Sequence, residues 1–121
     1  MISVDVSGLD DWVNSLAAID VAESVGPVLS KAGLNMKNGA REDAPDGPHL
    51  AHYRRTILYH KVGKLAVEMG PQEQGQGLLS AVLEFGQGPN APHPHILPQL
   101  DRELPNAKRY LAEVILKAIT G

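Results

Sequence analysis

TILYHKVGKLAVEM, residues 56–69, is where the chain commits to containing a sheet. Thr56 to Val62 and Leu65 to Met69 are built from β-branched, aromatic and aliphatic residues, and between them stands Gly63-Lys64. Two such runs around a glycine-containing dipeptide read as antiparallel strands joined by a tight hairpin. A third strand is expected at the N-terminus. There Ile2, Val4 and Val6 alternate with Ser3 and Asp5 in the period-2 pattern of a half-buried strand, and Ser7-Gly8 ends it.

Outside the strands the pattern turns helical. Asp10 and Asp11 offer an N-cap and first-turn negative charge for a short helix carrying Trp12, Val13, Leu16, Ala17 and Ile19. Gly26-Pro27 marks the start of a longer helix, because proline at the first helical position loses no internal hydrogen bond. Val28, Leu29, Ala32, Met36 and Ala40 follow at helical spacing, and Ala44-Pro45-Asp46-Gly47-Pro48 stops the helix. After the hairpin, Gly70 to Gly77 has no apolar side chain apart from Pro71 and is expected to be mobile in a free subunit. Leu78 to Phe85 is an apolar run, expected to be buried, that periodicity does not assign to strand or helix. Gly86 to Pro98 holds four of the nine prolines and no Asp, Glu, Lys or Arg. From Pro98 a last helix is expected, with Leu97, Leu100 and Leu104 on one stripe, a break or kink at Pro105, then Leu111, Val114, Ile115, Ala118 and Ile119. The expected architecture is α+β, one domain over residues 1–121: a small antiparallel sheet packed by a long central helix and a C-terminal helix.

Composition narrows the function classes. The chain has 121 residues, 43% of them apolar, but only five are Phe, Trp or Tyr, so the core rests on aliphatic side chains. It has no cysteine, which removes disulfides, thiolate nucleophiles and thiolate metal ligands together. No secretory pattern or membrane-length apolar run is visible, so a soluble protein is expected. Charge is lopsided: residues 1–30 carry five acids and no base, while the remainder holds eleven bases against nine acids. Arg54, Arg55, Lys61 and Lys64 lie in an acid-free stretch between Gly47 and Val67, an expected positive surface for an acidic partner or for DNA.

Few constellations suggest chemistry. His49 and His52 are spaced H-x-x-H and His93 and His95 H-x-H, but carboxylate or thiolate co-ligands do not accompany them. They read as loop histidines with polar or aromatic neighbours rather than as metal ligands. Ser30 and Ser80 lack a nucleophile elbow, Glu84 has no sequence-defined carboxylate partner in Glu68 or Asp101, and neither glycine-rich nucleotide motif is present. No catalytic residue, cofactor or metal is therefore expected. Glu84-Phe85-Gly86 is the most informative tripeptide: it reads as a buried aromatic closing an element, with Gly86 at positive φ releasing the chain into the proline-rich loop.

The order of these pieces resembles the tail-completion, or head-to-tail joining, family of long-tailed phages. The resemblance runs through Ala44-Pro45, the segment Gly47 to Ile57, Ala81 to Gly86 with its Glu-Phe-Gly, and Pro94-His95-Ile96-Leu97-Pro98-Gln99-Leu100 before the last helix. That family commonly has an aromatic after the first proline of the last segment, where this chain has His95. The resemblance implies a non-enzymatic virion protein, made in the host cytoplasm and resident in the neck. It implies self-association into a ring of six that contacts the tail tube or tail terminator and the head connector proteins, with DNA passing the lumen and no membrane. Candidate contact residues are Arg54, Arg55, Lys61, Lys64, Glu84, Phe85, Gly86, Pro94 and Pro98. The competing readings are a DNA-contacting or adaptor module using the basic residues 54–64, and a histidine-metal hydrolase.

Overall fold

The alternation seen at the N-terminus becomes strand β1, Ile2–Asp5, with Ile2 and Val4 buried and Ser3 and Asp5 exposed. The structure is a computed structural model that describes residues 2–8, 21–88 and 91–120. The expected hairpin forms β2, Ile57–Lys61, and β3, Ala66–Pro71, turning at Gly63 with φ +70°. The sheet is antiparallel in the order β1-β3-β2, with Ile2 and Tyr59 both opposite Met69, and Val4 and Lys61 both opposite Val67. Residues directly opposite one another share a face. One face therefore carries Ile2, Val4, Tyr59, Val67 and Met69, and the other carries Ser3, Asp5, Leu58, His60 and Glu68.

Two long helices pack with the sheet, as the α+β reading expected: α1, Val21–Asp43, and α4, Leu97–Thr120. Between them in sequence lie a single turn, α2 (Tyr53–Thr56), a 3-10 turn at Gly75–Leu79, and α3 (Ser80–Phe85). Val25, Leu29, Ala32, Met36 and Ala40 are fully or almost fully buried along one side of α1. At about 1.5–3 kcal/mol for each large apolar side chain removed from water, this stripe is a principal contributor to stability. Two glycines allow the helix to come close. A Cβ at Gly33 would lie 2.5 Å from the Tyr59 ring and 2.7 Å from a Val67 methyl, and one at Gly39 would lie 2.1 Å from Gln99 Oε1 on α4.

Pro27, expected at a helix start, and Pro105, expected to break or kink the last helix, both lie inside helices. α1 is already helical from Val21, six residues before Pro27, and Val25 upstream is wholly buried, so packing holds the turns that precede the proline. α4 runs through Pro105 without a break. Losing one backbone hydrogen bond there costs up to about 3 kcal/mol, but Ala107 is buried and Leu111, Val114 and Ile115 pack against the core beyond it, which offsets that loss. Leu97, expected on the inward stripe, is instead 47% exposed. The stop after α1 falls where expected, at Asp43. The helix expected from Asp10 and Asp11 lies outside the described residues.

The segment 70–77 differs from the mobile loop expected. Gly70 and Pro71 complete β3 and are buried, and the ladder extends to Gln72 N–H, which donates to Thr56 O at 2.8 Å. Gln76 then donates to His49 O at 3.1 Å and accepts the His52 N–H at 2.8 Å. Backbone and amide bonds thus anchor a segment that has little apolar burial to offer. Leu78 to Phe85 is helical, and its expected burial fails for Leu78, Leu79 and Phe85.

The close approach at Gly33 makes a sign prediction. Alanine favours a helix interior by about 1 kcal/mol over glycine, whereas forcing an extra methyl into a filled core costs about 1–3 kcal/mol. Gly33→Ala should therefore lower unfolding stability in urea melts, while Asn38→Ala on the exposed side of the same helix should leave it unchanged or slightly raise it. A stabilised Gly33→Ala variant would show that α1 does not approach the sheet this closely.

Candidate functional site

The site grows from a missing cap. A helix leaves its first N–H groups without internal partners, and a Ser, Thr, Asp or Asn usually meets them. The segment Pro92–Ile96 preceding α4 supplies none of these residues. Glu84, in the last turn of α3, takes their place. Its Oε1 accepts the N–H groups of His95 and Ile96, each at 2.9 Å, and its Oε2 accepts the N–H of Leu97 at 3.1 Å. The Glu84 side chain is only 5% exposed. Burial by itself pushes its pKa up, but the three backbone donors and the neighbouring His95 outweigh that and hold the carboxyl below the ordinary carboxylate value. The start of a 24-residue helix also provides a positive dipole end for the charge.

His95 extends the network inward. It is wholly buried; Nδ1 lies 2.8 Å from His93 O and 3.1 Å from Glu84 Oε1, and Nε2 lies 2.5 Å from the Tyr53 hydroxyl. A carbonyl only accepts, so Nδ1 carries the proton, and in the neutral ring Nε2 accepts from Tyr53. Burial first, and the Glu84 charge second, push the Tyr53 pKa far up, which keeps that hydroxyl a donor. The Tyr53 and His95 rings meet edge to face with centroids 5.3 Å apart. Tyr53, His95 and Glu84 have the composition of a proton relay, yet Tyr53 and His95 have no exposure at all. Their bonds tie α2, α3 and the proline-rich segment together. A second latch joins the helix ends: Asp43 accepts from Gln99 Nε2 at 2.9 Å and from the Arg102 guanidinium, and these two bonds lower its pKa. His93 Nε2 donates to Asp43 O at 2.8 Å.

The corner held this way presents apolar groups to solvent. Phe85 is 65% exposed and Leu97 47%, with Leu78 and Leu79 exposed in the preceding turn. The expectation of a buried Phe85 is therefore corrected, while Gly86 does adopt the expected positive φ, +77°. A surface pocket of about 160 Å³ opens between Phe85 and Leu97, with Pro71, Ala81 and Ile96 in its walls and Glu73 and Glu84 as its charged groups. A larger groove of about 420 Å³ lies between α1 and α4 and carries both signs of charge, Lys31, Glu103 and Arg109 among them.

The other candidates are dispersed. Arg54 and Arg55 belong to α2; Arg54 donates to Ala44 O at 3.3 Å and faces Asp46 at 3.8 Å, and Arg55 meets the His52 ring. Lys61 ends β2 on the helix side, near Gly26, and Lys64 sits exposed at the turn. The four residue steps of β2 at ~3.3 Å span about 13 Å, so Arg54 and Arg55 precede one end of that strand while Lys61 and Lys64 stand at the other. Pro94 is exposed between His93 and His95, and Pro98 is half-buried in the first turn of α4. Among the described residues, no three His, Asp or Glu side chains gather as a metal group would, and no helix is long and apolar enough to cross a membrane. No family model, curated protein or solved structure matches the chain.

Glu84→Gln should cost about 1–3 kcal/mol at neutral pH, because charge-assisted bonds to buried N–H groups are replaced by weaker ones and an amide hydrogen is left without an acceptor. The folded-state pKa lies below the ordinary 4.5. The carboxylate's contribution is therefore complete above that value and lost as pH falls through the folded pKa. Denaturant melts of parent and variant at pH 7 and pH 3 should show the gap narrowing in acid. A gap of equal size at both values would mean that ionised Glu84 is not the cap.

Proposed function

We propose that this chain is a structural subunit of a phage neck, of the tail-completion kind, which self-associates into a ring and joins tail tube to head. The carrying observation is the exposed Phe85 and Leu97 on a corner whose backbone is pinned by a buried carboxylate. Large exposed apolar groups gathered round a pocket mark a binding surface, and aromatic side chains are over-represented among the residues that dominate interfaces. Pinning the corner lowers the entropy lost when a partner docks on it. The same Glu-Phe-Gly tripeptide carries the resemblance to the tail-completion family, so one short motif links the sequence pattern to the exposed surface.

In this reading the partners are further copies of the chain, six in the ring, with the tail tube or tail terminator on one side and the head connector proteins on the other. The protein acts in the neck of the virion after assembly in the host cytoplasm. Tyr53 and His95 serve the scaffold, and no reaction is assigned to them. DNA passes the ring without sequence recognition: the chain's formal net charge of −3 and its acidic residues 1–30 disfavour tight duplex binding, which needs many phosphate contacts.

Phe85→Ser should leave unfolding stability within about 0.5 kcal/mol, since the side chain is mostly in water already. It should weaken assembly about tenfold or more, as expected for truncating an interface aromatic. Native mass spectrometry and negative-stain images of the parent should show rings. In vitro complementation of separated heads and tails should succeed with the parent and fail with the variant. Full joining activity by Phe85→Ser would remove the corner from the interface.

A further inference from the structure

Two surfaces on this chain are complementary but cannot meet within one subunit. The first is the hairpin tip. Val62 is 45% exposed, its neighbours Lys61, Gly63 and Lys64 are exposed, and the tip is closed by Val62 N–H donating to Ala66 O at 2.9 Å. Lys61 is drawn back toward Gly26, which leaves Lys64 as the outward cation. The second is the pocket between Phe85 and Leu97, whose walls are mainly apolar, with Ser80 among them, and whose charged groups among the described residues are Glu73 and Glu84. Lys64 stands two residues before β3 and Glu73 two residues after it. Among the described residues neither forms a salt bridge. Six strand residues at ~3.3 Å each hold the two surfaces about 20 Å apart along one rigid strand.

We infer that the hairpin tip of one copy seats in the Phe85–Leu97 pocket of the next, with Val62 entering the pocket and Lys64 facing Glu73. The inference rests on the ring reading and names the two surfaces that would build it. The occupant is a second copy of this chain because the tip supplies both things the pocket asks for, an exposed branched apolar side chain and an adjacent cation. A two-fold contact that sets tip against tip or pocket against pocket is disfavoured on charge, because it brings Lys64 to Lys64 or Glu73 to Glu73. Tip into pocket pairs opposite signs and buries apolar surface at each contact. Made in one direction, such a contact repeats from copy to copy and closes where the rotation permits; made reciprocally by two copies it stops at a dimer, so a cross-linked ladder that ends at two would overturn the head-to-tail contact.

The chain contains no cysteine, so an introduced pair reports only the chosen contact. Val62→Cys combined with Leu97→Cys, oxidised in the assembled state, should give a ladder of covalent oligomers on a denaturing gel that stops at the ring's copy number. Each single variant should give dimers at most. Val62→Cys with Leu116→Cys, the latter exposed near the far end of α4, should give no ladder. A second readout is independent of cysteine: Lys64→Glu and Glu73→Lys should each weaken association about tenfold in sedimentation experiments, and the double variant should recover it. Intact rings without a ladder, or an equal ladder from the control pair, would overturn this contact and leave the neck reading standing. Head-to-tail joining by a protein that stays monomeric on its template would do the same. A parent protein that neither forms rings nor joins heads to tails would overturn both.

Discussion

The position of the last helix depends on one buried carboxylate. Taking an ion of this kind out of water costs several kcal/mol. Three hydrogen bonds to a charged acceptor and the positive end of the α4 dipole offset that cost, and their geometry fixes where the energy minimum lies. Only one placement of α3 against α4 lets Glu84 reach the N–H groups of His95, Ile96 and Leu97 at once. His95 and Tyr53 then carry the same constraint to α2, and through it to the start of β2.

That constraint explains why Phe85 faces water. Neighbouring residues on a helix point about 100° apart, so a phase that buries Glu84 turns its neighbour away from the interior. An apolar run such as Leu78 to Phe85 would ordinarily bury its aromatic and expose its acid. Here the cap reverses the assignment, and Glu84 is 5% exposed while Phe85 is 65% exposed. The exposed aromatic is thus a consequence of how α4 is started. The Asp43 latch and the close contact of Gly39 with Gln99 hold α1 to the same end of α4, so the corner is braced from two sides.

The parts of this fold that follow from local pattern were legible in the sequence, and the parts set by distant partners were not. The alternation of Ile2 and Val4, the hairpin about Gly63, the stop at Ala44-Pro45 and the positive φ of Gly86 each depend on the chemistry of a few adjacent residues. Pro27 misled because local rules place proline at a helix start, whereas Val25, buried by tertiary packing, keeps the chain helical before it; past Pro105 the helix continues unbroken, held by buried Ala107. The loop 70–77 misled for the opposite reason: its anchors are Gln76 bonds to the backbone of residues 49 and 52, which composition does not reveal. A signal for the Glu84 cap did exist. A helix entered through Pro-His-Pro-His-Ile-Leu has no capping side chain of its own, and the nearest preceding acid is Glu84.

The basic residues show how far charge counts carry an argument about partners. Arg54, Arg55, Lys61 and Lys64 are close in sequence, and an acid-free stretch of that kind reads as one positive surface. Folding assigns them different work. Arg54 braces the turn after α1 through Ala44 O and Asp46, Arg55 meets His52, and Lys61 reaches back over Gly26. Three of the four are therefore engaged with their own chain, and an energetic effect of reversing them would mix local folding with any effect on association. Lys64 is the one that projects beyond the sheet, at the end of β3 opposite the acidic pocket. A net charge sums over all of these and hides the feature that gives a subunit direction, which is a cation and an acid placed at the two ends of a single strand.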